Sequence, residues 1–198
     1  MYDYIRGALT ELNPTDVTLE AGGIGYHILI SLTTYSNLQK GGREGVKLYI
    51  HQHLREDEEL LFGFFNTDER IMFRHLISVS GIGPGTARMM LSSMTPDEIF
   101  NAIVTQDVNR IKSVKGIGLK TAQRVILELR DKISKGTSSA GFPFEGGATT
   151  SAVRQEAATA LVLLGFTKPN VEKALDKLLK ENPSITLEEL IKQALKLL

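Results

Sequence analysis

The sequence has no cysteine among its 198 residues. This absence excludes a disulfide framework and a thiolate metal site, and it fits a reducing cytoplasm. No apolar run approaches the roughly 20 residues that a helix needs to cross a bilayer. The first residues, Met1 to Tyr4, lack the basic segment that opens a signal peptide. These absences predict a soluble, cytoplasmic protein without a membrane segment.

An excess of either charge is also absent, because 23 Lys and Arg residues balance 23 Asp and Glu residues. The balance is uneven along the chain: residues 1–63 hold 5 basic residues against 9 acidic ones, and residues 64–135 hold 11 against 7. Contacts with a nucleic-acid backbone should be strongest where basic charge is concentrated. The second segment is therefore the candidate nucleic-acid-binding part.

A short pattern occurs twice in this basic segment. Residues 76–88 recur 35 positions later at residues 111–123 with seven identities, which include Ser-Val, Gly-Ile-Gly and Thr-Ala. An internal repeat indicates one supersecondary unit used twice. Each copy predicts a helix, a tight Gly-Ile-Gly reversal and a second helix, and Pro84 suits the first turn of the second helix in copy one.

The Gly-Ile-Gly turns are predicted to bind an anion. Both glycines of a turn can adopt positive φ or let another molecule approach the backbone closely. Ile82 and Ile117 would be buried between the helices. Unpaired N–H groups at the start of the second helix then face outward with no side chains in front of them, which is an arrangement that binds phosphate. Lys115, Lys120 and Arg124 add positive charge around the second copy.

The glycines also permit other interpretations. A dinucleotide-binding loop needs a third glycine in register after a strand, and neither copy has one. The segment Gly118-Leu119-Lys120-Thr121 does not match the P-loop pattern, so no nucleotide-hydrolysis site is expected. The simplest alternative is that the glycines serve only as tight turns.

Residues 1–64 predict a β domain. Five runs rich in β-branched and aromatic residues are separated by turn residues, and a short helix with Leu32, Tyr35 and Leu38 on one face follows the third run. The runs are residues 4–9, 16–20, 24–30, 46–51 and 59–64. This order predicts a five-stranded OB-fold barrel, a common nucleic-acid platform. The alternative is a small barrel that makes only oligomer contacts.

An acidic cluster, Arg55-Glu56-Asp57-Glu58-Glu59, lies between the fourth and fifth runs. One interpretation is a solvated turn. A Mg²⁺ site for nuclease chemistry would need convergent partners, which adjacent carboxylates on one strand end lack. The remaining hypothesis is a negative pin that repels duplex DNA where two strands must part.

No metal site is predicted. His51 and His53 could lie on one strand face, but two imidazoles without a third ligand make a weak zinc site. Partial burial in a sheet is the expected role of this pair. His27 and His75 are isolated in the sequence.

Residues 65–135 are predicted to be helical around the two turns. Capped helix starts are expected at Thr67 and Thr95. The helix between the copies is expected to point four apolar residues inward: Ile99, Phe100, Ile103 and Val104. The longest helix, residues 119–133, would bury an apolar stripe of Val125, Ile126 and Leu129.

The C-terminal part is predicted to be a small domain on a flexible linker. Residues 136–150 have a linker's Gly-, Ser- and Thr-rich composition, and residues 151–198 predict a three-helix bundle whose Leu-Gly-Phe turn resembles ubiquitin-associated (UBA) domains. So small a bundle buries little, and some of Leu161, Leu164 and Phe166 could stay exposed to bind a protein partner. All three could equally be core residues.

The paired turns are helix-hairpin-helix motifs, and a tandem pair behind a small β domain resembles the RuvA family of bacterial Holliday-junction branch-migration subunits. The resemblance covers the whole chain. It implies an α+β multidomain fold and a homotetramer, alone or stacked in pairs as an octamer, that holds a four-way DNA junction open and square. It further implies a bacterial, cytoplasmic, non-catalytic subunit without a cofactor that acts in DNA recombination, DNA repair and the SOS response.

The motif and the resemblance together assign residue roles. The predicted DNA-binding residues are Gly81, Gly83, Gly85, Lys115, Gly116, Gly118, Lys120 and Arg124. The acidic pin maps to Arg55, Glu56 and Asp57. The partner-binding residues, which would engage the hexameric ATPase RuvB, are Leu161, Leu164 and Phe166. RuvB would use the ATP and Mg²⁺, and the resolvase RuvC is a further implied partner.

One position departs from the family pattern. Hairpin one has Gly85 where many relatives carry a lysine. DNA binding by hairpin one would therefore depend more on backbone N–H groups, and hairpin two is expected to make the stronger contact.

An enzyme is the alternative function. Residues 115–122 also resemble the hairpin of base-excision glycosylases, which flip a base and attack it with a downstream Lys or Asp. Those enzymes follow the hairpin with a conspicuous acidic segment, whereas here Arg130-Asp131-Lys132 runs straight into the linker. A nuclease accessory subunit is the third alternative.

Overall fold

In a computed structural model, which describes residues 1–136, 150–182 and 185–198, the chain forms two units. The first is Met1–Ser134 and the second is Lys135–Leu198. The β domain and the paired hairpins, predicted as separate domains, both belong to the first unit. Most of the predicted linker, residues 137–149, lies outside the described residues.

The N-terminal strands close into a barrel, which confirms the predicted OB-fold. The strands are β1 (Tyr4–Leu12), β2 (Asp16–Ala21), β3 (Ile24–Ile30), β4 (Val46–Leu54) and β5 (Glu59–Phe64). Their order around the barrel is β1-β2-β3-β5-β4. Neighbours are antiparallel except for the parallel pair β3 and β5. The predicted short helix, α1 (Leu32–Leu38), connects β3 to β4.

Side-chain alternation decides which residues fill the barrel. Ile28 and Ile30 on β3 are buried in the barrel core, so Leu29 between them faces outward. Gly63 on β5 faces the same core, where an added Cβ would lie 2.5 Å from Ile28 Cγ2. Leu60, Phe62 and Phe64 on the same strand therefore lie on the outer face.

Five helices follow the barrel. They are α2 (Thr67–Ile77), α3 (Pro84–Ser93), α4 (Pro96–Val104), α5 (Val108–Lys112) and α6 (Leu119–Gly136). The capped helix start predicted at Thr95 is confirmed, and it takes the form of a capping box with Glu98. The cap of α2 differs from the prediction, because the Asn66 side chain accepts from the Glu69 N–H and the helix begins after it.

The apolar stripe of α6 is confirmed, since Val125, Ile126 and Leu129 are buried. The prediction that Val104 points inward is wrong, because its side chain is 50% exposed. Residues 99, 102 and 103 already face the core, and a residue five positions after Ile99 lies on another side of an α-helix.

Helix α2 fastens the helical part to the outside of the barrel. The Phe73 ring lies 5.1 Å from that of Phe62 and 4.9 Å from that of Phe64, measured between centroids. One turn before, Arg70 forms a 2.6 Å ion pair with Asp3 at the start of β1. Aromatic packing and this partly buried pair hold the hairpins and the barrel in one unit.

A buried carboxylate lies at the same contact. Glu69 of α2 accepts hydrogen bonds from the Ser31 hydroxyl, from the Thr34 hydroxyl at 2.6 Å and from the Phe65 N–H at 3.2 Å. Burial raises the pKa of the Glu69 carboxyl, and the two hydroxyl donors act in the opposite direction. The sequence suggested only a helix start here, whereas Glu69 links α1 to α2.

The second unit is a three-helix bundle, as predicted. It consists of α7 (Thr150–Leu163), α8 (Lys168–Glu181) and α9 (Leu187–Leu197). Gly165 has a φ of +101° in the turn after α7, a conformation that favours glycine. None of the helices in the described ranges is long and apolar enough to cross a membrane.

Candidate nucleic-acid interface

The two hairpins share one turn geometry. The isoleucine N–H donates to the carbonyl of the valine three residues earlier, from Ile82 to Val79 and from Ile117 to Val114, at 3.1 Å in both copies. Both isoleucines are buried, as predicted, at 5% and 4% exposure. The sequence repeat is therefore a structural repeat, anchored by the same side chain.

The two glycines of each turn have different conformations. The first, Gly81 or Gly116, has a φ of +92° or +90° and reverses the chain. The second glycine was also expected to be able to use positive φ, but Gly83 has a φ of −86° and forms the N-cap of α3. Gly118 likewise lies outside the positive-φ region. Positive φ is therefore confirmed for the first glycine, and the space around the second leaves room for the other expected role, close approach of another molecule to the backbone.

Backbone donors are unpaired at the start of both second helices. Within the described chain, the N–H groups of Gly83, Gly85, Gly118 and Lys120 donate no hydrogen bond. A Cβ built on Gly83, Gly85 or Gly118 would meet nothing within 4 Å. Neither packing nor positive φ requires glycine at these three positions. Their lack of a side chain leaves the N–H groups open to a ligand from outside, as in known anion sites.

The predicted cations surround hairpin two. Lys115 and Lys120 are exposed, and the Arg124 side chain is 53% exposed. Arg124 also has a 4.0 Å contact with Glu128 one turn along α6, an exposed pair of the kind that contributes little to stability. All three cations are available to a polyanion.

Helix α6 links the two hairpins directly. The Arg124 guanidinium donates to the Ser80 carbonyl of hairpin one at 3.3 Å, and the Lys132 ammonium donates to the Ser78 hydroxyl at 2.7 Å. The sequence pattern places Arg124 only at hairpin two and does not indicate a role for Lys132. The pattern of either hairpin alone contained no signal for this contact.

The acidic pin is the tip of the β4–β5 hairpin. Arg55, Glu56 and Asp57 are all exposed, and the Arg55 N–H donates to the Glu58 carbonyl at 2.8 Å across the turn. Arg55 and Glu58 line one cleft together with Pro84 and Gly85 of α3. The structure thus brings the base of the pin beside hairpin one.

The predicted partner-binding residues are not equivalent. Leu161 is fully buried in the bundle core and cannot touch a partner with its side chain, which corrects the expectation that it could stay exposed. Leu164 is 61% exposed and Phe166 is partly buried. Sequence analysis missed Leu163, which is 83% exposed beside Leu164. The helical period explains the difference in burial between Leu161 and Leu163, because only Leu161 lies on the inward face of α7.

The imidazole pair forms part of the barrel surface. The His51 ring packs at a tilt against that of Phe73, at 5.3 Å between centroids, and His53 is the next outward residue on β4. Burial lowers the pKa of His51. No group of three or more side chains with metal-ligating chemistry converges within the described ranges.

Comparisons with known proteins cover both units. Family models match in three places: the RuvA N terminal domain at residues 1–63, a SAM-like helix-hairpin-helix tandem at residues 73–131, and the RuvA C-terminal domain at residues 152–198.

Full-length relatives carry one name, Holliday junction branch migration complex subunit RuvA. The protein from Cytophaga hutchinsonii is 53% identical over 100% of both chains. Those from Christiangramia forsetii and Bacteroides fragilis are 48% and 46% identical over 99% of both chains. Three matching domains in order and this identity over the full length show that the chain belongs to the RuvA family.

Proposed function

We propose that this chain acts in branch migration as a DNA-binding subunit that holds a four-way junction open and square. The observation that carries the proposal is the pair of identical turns with open glycines and unpaired N–H groups. Backbone donors and lysines contact phosphates, which are the same in every sequence. Binding is therefore independent of sequence and weakens as salt concentration rises.

The acidic pin supplies preference for branched DNA. Glu56 and Asp57 are exposed beside the face that carries hairpin one, and their negative charges repel the phosphates of an unbroken duplex. At the centre of a junction the strands diverge, so the pin meets a gap between them. Attraction at the hairpins and repulsion at the pin together select the geometry of the DNA.

Assembly into a homotetramer gives each junction arm its own pair of hairpins, and two tetramers can enclose the junction as an octamer. The chain itself performs no catalysis and needs no cofactor. RuvB, the hexameric ATPase, docks on the exposed end of α7 and supplies the ATP-driven movement, and RuvC cleaves the junction afterwards. Leu163 and Leu164 support this docking site, since both expose large apolar side chains.

A competition experiment tests the proposal. The full chain binds a fluorescent four-way junction, and unlabelled junctions or linear duplexes of the same sequence displace it. We expect the junction to compete at far lower concentration than the duplex, with no dependence on arm sequence. Equal competition by junction and duplex would contradict the proposed function, as would release of a damaged base when the chain is incubated with a duplex that carries one.

A further inference from the structure

The outer face of β3, β5 and β4 is covered along only part of its length. Strand pairing places Leu29 beside Phe62 and His53 beside Leu60 on this face. Phe73 of α2 covers Phe62, which is 3% exposed. Towards the pin, Leu60 and Leu29 are only partly buried. An apolar strip thus continues beyond α2 towards the start of α3.

This strip forms the floor of a cleft of about 180 Å³. The opposite wall is the start of α3, with Pro84 and Gly85. Arg55 and Glu58, at the base of the pin, also line the cleft. The cleft therefore lies between the two elements proposed to contact DNA, hairpin one and the pin.

Planar cationic groups flank the apolar floor. The Arg55 Nε donates to the His53 Nε2 at 3.1 Å, and the Arg88 Nη1 donates to the Thr15 carbonyl at 3.0 Å. Each bond fixes a guanidinium beside the cleft and occupies one of its five N–H donors. Glu58 adds a carboxylate that disfavours a phosphate inside.

We propose that this cleft holds an unpaired nucleobase of a DNA strand that has left its duplex beside the pin. A base has apolar faces, which suit the Leu29 and Leu60 floor, and its plane can stack on imidazole or guanidinium groups. Its edge carries acceptors for arginine donors. The phosphate stays outside, near the unpaired Gly85 N–H.

This proposal rests on the proposed function and adds the cleft to the pin as a second element that acts on the separated strands. The pin separates strands by repulsion, and the cleft stabilises a base that separation exposes. A protein with both elements lowers the cost of opening the pair at the crossover. DNA that is already unpaired there should bind more tightly, by about tenfold for one base-pair step.

The experiment compares two four-way junctions with identical arms. One is fully paired, and the other has a thymine–thymine mismatch next to the crossover. Dissociation constants are measured by fluorescence anisotropy for the wild-type chain, for Leu60→Trp, which fills the floor, and for Arg88→Gln, which removes a cation from the flank. Ile24→Trp, at an exposed barrel position that does not line the cleft, is the matched control. Thermal melting verifies that each variant is folded.

The readout is the ratio of the two affinities, so that a general loss of DNA binding cancels. We expect a ratio of about ten for wild type and Ile24→Trp, and a ratio near one for Leu60→Trp and Arg88→Gln. Tight but equal binding of both junctions by wild type, or a mismatch preference that survives in both cleft variants, would overturn the proposal alone. Binding of both junctions no tighter than linear duplex would overturn the proposed function with it.

Discussion

At position 85 the two hairpins differ by one side chain. The repeat aligns Gly85 with Lys120, and a Cβ at Gly85 would meet nothing within 4 Å. Gly85→Lys is therefore expected to give hairpin one the cation of hairpin two. Junction binding should tighten and the slope of log affinity against log salt should steepen by about one.

The matched control is Gly85→Ala, which adds a Cβ without the charge. Its salt slope should equal that of wild type, and its free energy of unfolding should rise by about 0.5–1 kcal/mol, because alanine favours a helix over glycine. Anisotropy titrations at several salt concentrations measure the slopes. A Gly85→Lys variant with an unchanged slope would contradict phosphate contact at hairpin one.

The Glu69 carboxyl makes a pH-dependent contribution to stability. Burial raises its pKa, so the folded state binds this proton more tightly than the unfolded chain does. By linkage, the contribution of Glu69 to the free energy of unfolding falls as pH rises from the ordinary carboxyl pKa through the raised pKa. Above the raised pKa this contribution is constant.

Glu69→Gln removes this titration and serves as the reference. We expect the difference in free energy of unfolding, wild type minus variant, to decrease as pH rises from the ordinary carboxyl pKa through the raised pKa of Glu69. Urea denaturation of both proteins across this range measures the difference. A difference that stays flat or increases would show that the pKa of Glu69 is not raised.

At the scale of elements, the pin is expected to make the chain discriminate branched from linear DNA. Glu56→Gln combined with Asp57→Asn removes two negative charges from an exposed turn. Duplex binding should strengthen by about tenfold and junction binding less, because like charges opposed across an interface are costly. The same double neutralisation at Glu188 and Glu189 of α9 controls for net charge. An unchanged junction-to-duplex ratio would remove the pin from the mechanism.

The end of α7 is expected to dock the motor subunit. Leu164→Ser, at a 61% exposed position, should weaken capture of RuvB by about tenfold or more and leave junction binding unaltered. Leu161→Ala, in the core, should instead unfold the bundle, since such truncations cost about 2–5 kcal/mol. Pull-down with purified RuvB, combined with circular dichroism, distinguishes the two effects. Undiminished capture by Leu164→Ser would place the docking site elsewhere.

Local patterns predicted most of these elements. The bounds of β3 at Ile24–Ile30 and of β5 at Glu59–Phe64 match the sequence prediction, because turn residues mark their ends. Errors arose where burial depends on distant residues. Glu69 finds its partners Ser31 and Thr34 through packing of α2 on the barrel, 38 and 35 positions away.

In the candidate site, too, local features were predicted and contacts between distant residues were not. The repeat was enough to predict the open glycines and the buried Ile82 and Ile117, since each hairpin is local. The cleft beside the pin was not predicted, because its walls come from β3, β5 and α3. The bond from Lys132 to Ser78 likewise joins residues 54 positions apart.

At the scale of the whole molecule, the first unit combines a part with net negative charge and a part with net positive charge. The barrel sequence is acidic and the hairpin sequence is basic, yet α2, Glu69 and Arg70 hold them together. Under the proposed function, one subunit would attract DNA at the hairpins and repel it at the pin, at fixed positions. Four such subunits around a junction would place four pins at the centre and eight hairpins on the arms.

Native mass spectrometry of the full chain, with and without a synthetic four-way junction, tests this assembly most directly. We expect a complex of four chains, or eight, with one junction, and no such complex with a linear duplex of equal length. A chain that remains monomeric and binds branched and linear DNA alike would contradict the central claim.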